Sequence, residues 1–208
     1  MLKLAPIVLF VYNRPRHTKT TIEYLKNNNL ANLSELFIFS DSSKTKVDKN
    51  KVNKVRSIIK NVSGFKRVEI IKRKKNYGLA KNIICGINKI FKTYKTAIIL
   101  EDDIETSKYF LRFMNKALLK YKKNPNIWHI SGWNYPIDQK TKRNIKDKVF
   151  FWKIMNCWGW ATWEDRWKFY KKNPNELIKN WNKEKIKRFN LEGNYDFWKQ
   201  VQNNYKKI

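Results

Sequence analysis

Continuous apolar runs alternate with apolar residues at helical spacing through the first half of the chain. Residues 7–12 form an unbroken apolar run closed by Asn13-Arg14-Pro15-Arg16, which predicts a buried strand and a turn. Thr20 and Glu23 have the spacing of a capping box, and Ile22 with Leu25 mark a short helix after it. Residues 36–39 give a second buried strand that delivers Ser40-Asp41-Ser42-Ser43 to its carboxyl end. Val52, Val55, Ile58, Ile59 and Val62 trace an amphipathic helix with a lysine-rich outer face. Residues 68–71 are a third strand and Asn76-Tyr77-Gly78 the turn after it. Leu79, Ile83, Ile84, Ile87, Ile90 and Phe91 mark the next helix, which feeds the run at 96–100. That run is rich in β-branched residues and too short for a helix, so it reads as a fourth strand.

Strands alternating with helices predict an α/β fold with a mostly parallel central sheet, right-handed crossovers and helices on both faces. Such sheets bind ligands beyond the carboxyl ends of their strands. Asn13, Arg14, Asp41, Asn76 and the triplet Glu101-Asp102-Asp103 are therefore expected to converge on one edge. Three adjacent acids repel one another. A hard divalent cation, Mn²⁺ or Mg²⁺, offsets that repulsion and can hold a diphosphate, whereas the same acids could instead cap the following helix through its dipole.

Beyond the triplet, Ser107 is placed to cap a helix carrying Phe110, Leu111, Met114, Leu118 and Tyr121, which Asn124-Pro125 ends. All nine tryptophans then follow, from Trp128 onward. Residues 127–133 read as a strand and turn, Val149-Phe150-Phe151-Trp152 as another strand, and the basic stretch 139–148 between them as a flap. Residues 175–190 and those from 194 onward are helical in pattern. Phe197, Val201, Tyr205 and Ile208 keep that spacing to the last residue with no cap, which predicts a domain continuing past Ile208. The segment Trp158-Gly159-Trp160-Ala161-Thr162-Trp163 suits either sugar stacking on indole faces or ordinary core packing.

With 208 residues the chain can bury a full core. Lys and Arg number 46 against 17 Asp and Glu, a formal charge of +29. This excess suits nucleic acid, anionic lipid headgroups or phosphorylated substrates, although the cations are scattered as on a solvated surface. Cys85 and Cys157 stand apart in apolar settings, as reduced core residues of a cytosolic protein do. The apolar opening is too short to span a bilayer and lacks a cleavage site for a signal peptide. No phosphate-cradling glycine loop is present, so a bound nucleotide would be held by side chains and a metal.

The order of elements resembles a GT-A glycosyltransferase, and more closely the N-acetylglucosaminyltransferase I-type family with its related bacterial sugar transferases. The likeness is carried by Pro6-Ile7-Val8, Asn13-Arg14, Ser40-Asp41, residues 77–91, Ile99-Leu100-Glu101-Asp102-Asp103, residues 128–134 and Gly159-Trp160. The resemblance implies that the triplet is a variant DxD motif: Asp103 binds Mn²⁺, Asp102 lies near the ribose and Glu101 near the donor sugar. It implies that Asn13, Arg14, Asp41, Lys81 and Asn82 line the nucleotide pocket and that Trp158, Gly159 and Trp160 hold the acceptor. Asn13 stands where the relatives carry Asp, and Asn82 where they carry His. Glu164, Asp165 and Asp196 are the acids available as general base, unless that base lies beyond residue 208.

The expectation is a metal-dependent glycosyltransferase using a nucleoside diphosphate sugar, UDP first among donors, with a glycan or lipid-linked acceptor. Residues 1–106 would bind the nucleotide sugar and 107–208 the acceptor. Bacterial surface polysaccharide or lipooligosaccharide synthesis is the setting the resemblance implies, in the cytoplasm or peripheral at the inner membrane face. A nucleic-acid-binding protein and a metal-dependent phosphoester hydrolase are the alternatives.

Overall fold

A computed structural model describes residues 4–137 and 149–206; the basic stretch expected as a flap lies outside them. The chain divides into two compact units, Met1–Phe150 with Met155–Lys168, and Phe151–Ile154 with Phe169–Ile208.

The larger unit is built on six strands: β1 (Ile7–Val11), β2 (Glu35–Ser40), β3 (Arg67–Lys72), β4 (Thr96–Glu101), β5 (Ile130–Ser131) and β6 (Trp160–Trp163). Their order in the sheet is β3-β2-β1-β4-β6-β5. The first four are parallel, and β6 runs antiparallel to both β4 and β5. Helices α1 (Pro15–Lys26), α2 (Lys46–Lys60), α3 (Leu79–Ile90) and α4 (Phe110–Tyr121) connect and cover the strands.

Side chains alternate across a strand, so each strand feeds two cores. Ile7, Leu9, Leu36, Ile38, Ile98 and Leu100 pack with Leu25, Val55, Ile59, Leu111 and Met114. Val8, Phe10, Phe37, Phe39, Ala97 and Ile99 face the other way, against Ile87 and Ile90 of α3 and against Trp160. A sheet covered on both faces explains why its inner strands read as continuous apolar runs. This is the α/β fold with a mostly parallel central sheet that the sequence predicts.

Some local expectations fail for identifiable reasons. Helix α1 begins at Pro15, whose fixed φ suits the first helical position, so Thr20 lies inside the helix and caps nothing. The working capping box belongs to α2, where Thr45 accepts from the Asp48 N–H and Asp48 accepts in return. Ser107 lies two residues before the α4 cap, in the turn that leads into it. Residues 149–152 form no strand and are exposed, and Cys157 is exposed instead of core.

The smaller unit contains helices Pro174–Asn180, Lys183–Phe189 and Trp198–Tyr205. The single helix expected over 175–190 is broken where Asn182 caps a second one by accepting from the Lys185 N–H at 2.9 Å. Trp181 and Trp198 stack at 5.5 Å, with Phe189 edge-on to both, so aromatic faces do here what aliphatic side chains do in the sheet.

Candidate active site at the carboxyl edge of the sheet

Strands β1 and β4 are parallel neighbours with Phe10 opposite Glu101, so the residues after each emerge side by side. The Tyr12 N–H donates to Asp102 Oδ2 at 3.2 Å. Arg14 donates from Nη1 to Asp103 Oδ2 at 2.6 Å and lies 3.8 Å from Asp102 Oδ1. The Thr21 hydroxyl of α1 donates to the Asp102 carbonyl at 3.0 Å and fixes the backbone of the triplet. Asp102 is buried while Asp103 is open to solvent.

One guanidinium thus faces three carboxylates. Burial first, then repulsion from Asp103 and Asp102, pushes the Glu101 carboxyl above its ordinary range, against the pull of Arg14. Burial also raises Asp102, opposed by the Tyr12 N–H and by Arg14. A set of hard oxygen donors with surplus negative charge fits a hard divalent cation. Among the described residues no three His, Cys, Asp or Glu side chains are gathered to hold an ion by themselves. An ion here would complete its shell with ligand oxygens, as Mg²⁺ commonly does with substrate phosphates.

A second corner forms where β2 and β3 end. The Asp41 carboxylate accepts from the N–H groups of Ser42 (2.8 Å), Tyr77 (2.9 Å) and Gly78 (2.9 Å) and from Asn76 Nδ2 (3.3 Å). Asp41 is 4% exposed, so its charge is spent on holding the turn after β3. Arg56 of α2 donates to the carbonyls of Asp41 and Arg73 at 3.3 and 2.9 Å, binding the two strand ends together. Asn13 donates to Asp48 at the start of α2 (2.8 Å), Lys81 lies over the Tyr77 ring, and the Asn82 amide oxygen accepts from Arg73 Nε at 2.9 Å. Every residue assigned to the nucleotide pocket therefore lies at or next to this edge.

Beside Asp103 a cleft of about 390 Å³ is lined by residues 103–107, Phe110, Gly132, Trp133 and Trp158. The Trp133 and Trp158 rings are 4.6 Å apart, tilted by 60°. Phe110 reaches the cleft because Gly132 and Gly159 lack a Cβ; one on Gly132 would lie 2.6 Å from its ring. Trp160, by contrast, is buried in the core with Trp167 and does not line the cleft. Of the three residues expected to hold the acceptor, Trp158 lines the cleft and Gly159 shapes it, while Trp160 does not reach it; Trp133 lines it as well.

The candidate bases separate. Trp163 pairs with Thr96 at the start of β4, which puts Glu164 and Asp165 at the opposite edge of the sheet, roughly 15–20 Å from the triplet at about 3.3 Å per residue. Both Asp165 carboxylate oxygens accept from Arg166 Nη1, at 2.8 and 2.7 Å. Arg166 is buried under Trp163 and holds the carbonyls of Lys122 and Asn124. This is a structural clamp on the end of α4, and Asp165 cannot serve a reaction at the triplet. Asp196 belongs to the smaller unit, where its Oδ1 accepts from Asn190 Nδ2 and the Lys199 N–H.

Sequence reasoning missed Arg73, Phe110 and the cleft role of Trp133. Arg73 is hidden in Lys72-Arg73-Lys74-Lys75, where nothing in the pattern separates one cation from the next. Phe110 reads only as a core position of α4.

No curated protein matches the chain in sequence. Among solved structures, mannosyltransferase PcManGT from Pyrobaculum calidifontis, in complex with GDP-Man and Mn²⁺, is 12% identical over 77% of this chain and 45% of its own, with a TM-score of 0.49. S. aureus TarS 1–349 in complex with UDP is 11% identical over 64% of this chain and 38% of its own, TM-score 0.41. An active-site mutant of LgtC is 9% identical over 83% and 63%, TM-score 0.46. The chain thus spans less than two thirds of each of these structures. Residues 1–191 match the profile of the GNT-I family, and the chain belongs to that family of glycosyltransferases.

Proposed function

We propose that the protein transfers a sugar from a nucleoside diphosphate sugar to a hydroxyl of a glycan or lipid-linked acceptor, with a divalent cation at Asp103. The observation that carries this reading is the acidic triplet, underneutralised by Arg14, whose Asp103 lines a cleft walled by Trp133, Trp158 and Phe110. A bound Mn²⁺ or Mg²⁺ would neutralise the departing diphosphate. Arg14 orients Asp103 and adds positive charge where the leaving group's negative charge develops. The indole faces take the apolar face of a sugar ring, and Glu101 and Asp102 accept from sugar and ribose hydroxyls. Residues 1–106 supply the donor half and 107–208 the acceptor half. Asp165 is committed to Arg166, and a carboxylate other than it would deprotonate the acceptor hydroxyl. UDP, a role in bacterial surface polysaccharide or lipooligosaccharide synthesis, and residence at the inner membrane face complete the reading.

Thermal-shift measurements with nucleoside diphosphates and their sugars, with and without Mn²⁺, test it. Stabilisation by a diphosphate that needs Mn²⁺ and disappears in Asp103→Asn is the expected result. Silence across the whole panel combined with tight, salt-dependent oligonucleotide binding would replace the reading with nucleic-acid binding.

A further inference from the structure

Arg73 follows β3 and is fixed from both sides. Its N–H donates to the Ser40 carbonyl (2.9 Å), and its own carbonyl accepts from Arg56 (2.9 Å). The guanidinium lies 5.1 Å from the Phe39 ring centroid and 4.7 Å from that of Tyr77, and Nε donates to Asn82 Oδ1. Nη2 is buried and has no hydrogen-bond partner; among the described residues only Asn175 Oδ1, in the smaller unit, shares that condition. A charged donor buried without an acceptor is costly, and two aromatic faces offset that only in part. A fold keeps such a donor when something outside the chain supplies the acceptor.

We infer that Arg73 reads the nucleobase of the donor, Nη2 donating to a carbonyl oxygen on the base edge once the base displaces the Tyr77 ring. The inference rests on the nucleoside diphosphate reading above. It names a class of base because guanidinium nitrogens only donate. Nearby acceptors are already used: Asn82 Oδ1 by Arg73 itself, and the Asp41 carboxylate by Ser42, Asn76, Tyr77 and Gly78. A base with a keto oxygen at that edge, uracil or guanine, completes the arrangement. One with an exocyclic amino group there, cytosine or adenine, sets donor against donor and leaves both unpaired.

Isothermal titration of the full chain in Mn²⁺ with UDP, GDP, CDP and ADP tests this. UDP over CDP, or GDP over ADP, is expected to bind at least about tenfold tighter, and Arg73→Met to compress that ratio to within about threefold. A ratio is insensitive to general destabilisation, and if Arg73→Met fails to fold, Arg73→Lys, which keeps the charge but lacks Nη2, is expected to compress the ratio likewise. CDP matching UDP and ADP matching GDP in the wild type, or an unchanged ratio in Arg73→Met, would overturn the inference. Binding of none of the four removes the parent reading and this one with it, a result distinct from binding without discrimination.

Discussion

Glu101 meets burial and two neighbouring acids, all opposing its ionisation. Its pKa is therefore higher folded than unfolded, and its contribution to stability is fully present below the ordinary carboxylate pKa and lost as pH rises through the raised value. Glu101→Gln, which mimics the protonated acid, is expected to stabilise the metal-free protein near pH 7 and to change little near pH 3.5. Urea denaturation at both pH values checks the sign. An equal effect at the two would show that the site stores no charge repulsion. Trp133 invites a different test, because it lines the cleft and packs against Trp158. Trp133→Ala is expected to raise the acceptor KM about tenfold, with donor affinity unchanged, since it removes a stacking face shared by ground and transition states.

Among the elements, four strands and the helices between them were legible because burial on both sheet faces forces long apolar runs, such as residues 7–12. The convergence of Arg14, Asp41 and the triplet followed from parallel topology alone. What escaped was set by contacts distant in sequence. Nothing near Asp165 announces that Arg166 needs a counter-ion while it holds the Lys122 carbonyl, and nothing near Trp160 says that its ring faces Trp167. The cap of α2 was missed because Asp48 does the work usually signalled by Glu or Gln. Helix α3 carries a constraint of the same hidden kind at Gly86, where a Cβ would lie 2.5 Å from the Phe10 ring that stacks on Phe39. Gly86→Ala is expected to destabilise by about 1–3 kcal/mol in urea titration, despite the better helix propensity of alanine. Adding Phe10→Leu should recover part of the loss. Non-additivity of that kind is the mark of a direct clash.

Across the whole molecule the formal charge is +29, while at the end of β4 three carboxylates face one guanidinium. Scattered lysines do not choose a sequence-specific partner, but they raise the local concentration of any extended anionic surface. No helix among the described residues is long and apolar enough to cross a bilayer, and the membrane contact proposed above rests on charge. Each basic residue near an anionic leaflet contributes about 1 kcal/mol within a Debye length of roughly 8–10 Å. Only the fraction of the 46 Lys and Arg that face the bilayer together would count, and about eight acting together suffice for micromolar partitioning. Sedimentation with vesicles of mixed neutral and acidic phospholipid is expected to capture the protein at low ionic strength and to release it as salt shortens the Debye length. Neutral vesicles should capture none. Equal binding to both kinds would mean that exposed aromatics such as Phe151 and Trp152, and not charge, govern attachment.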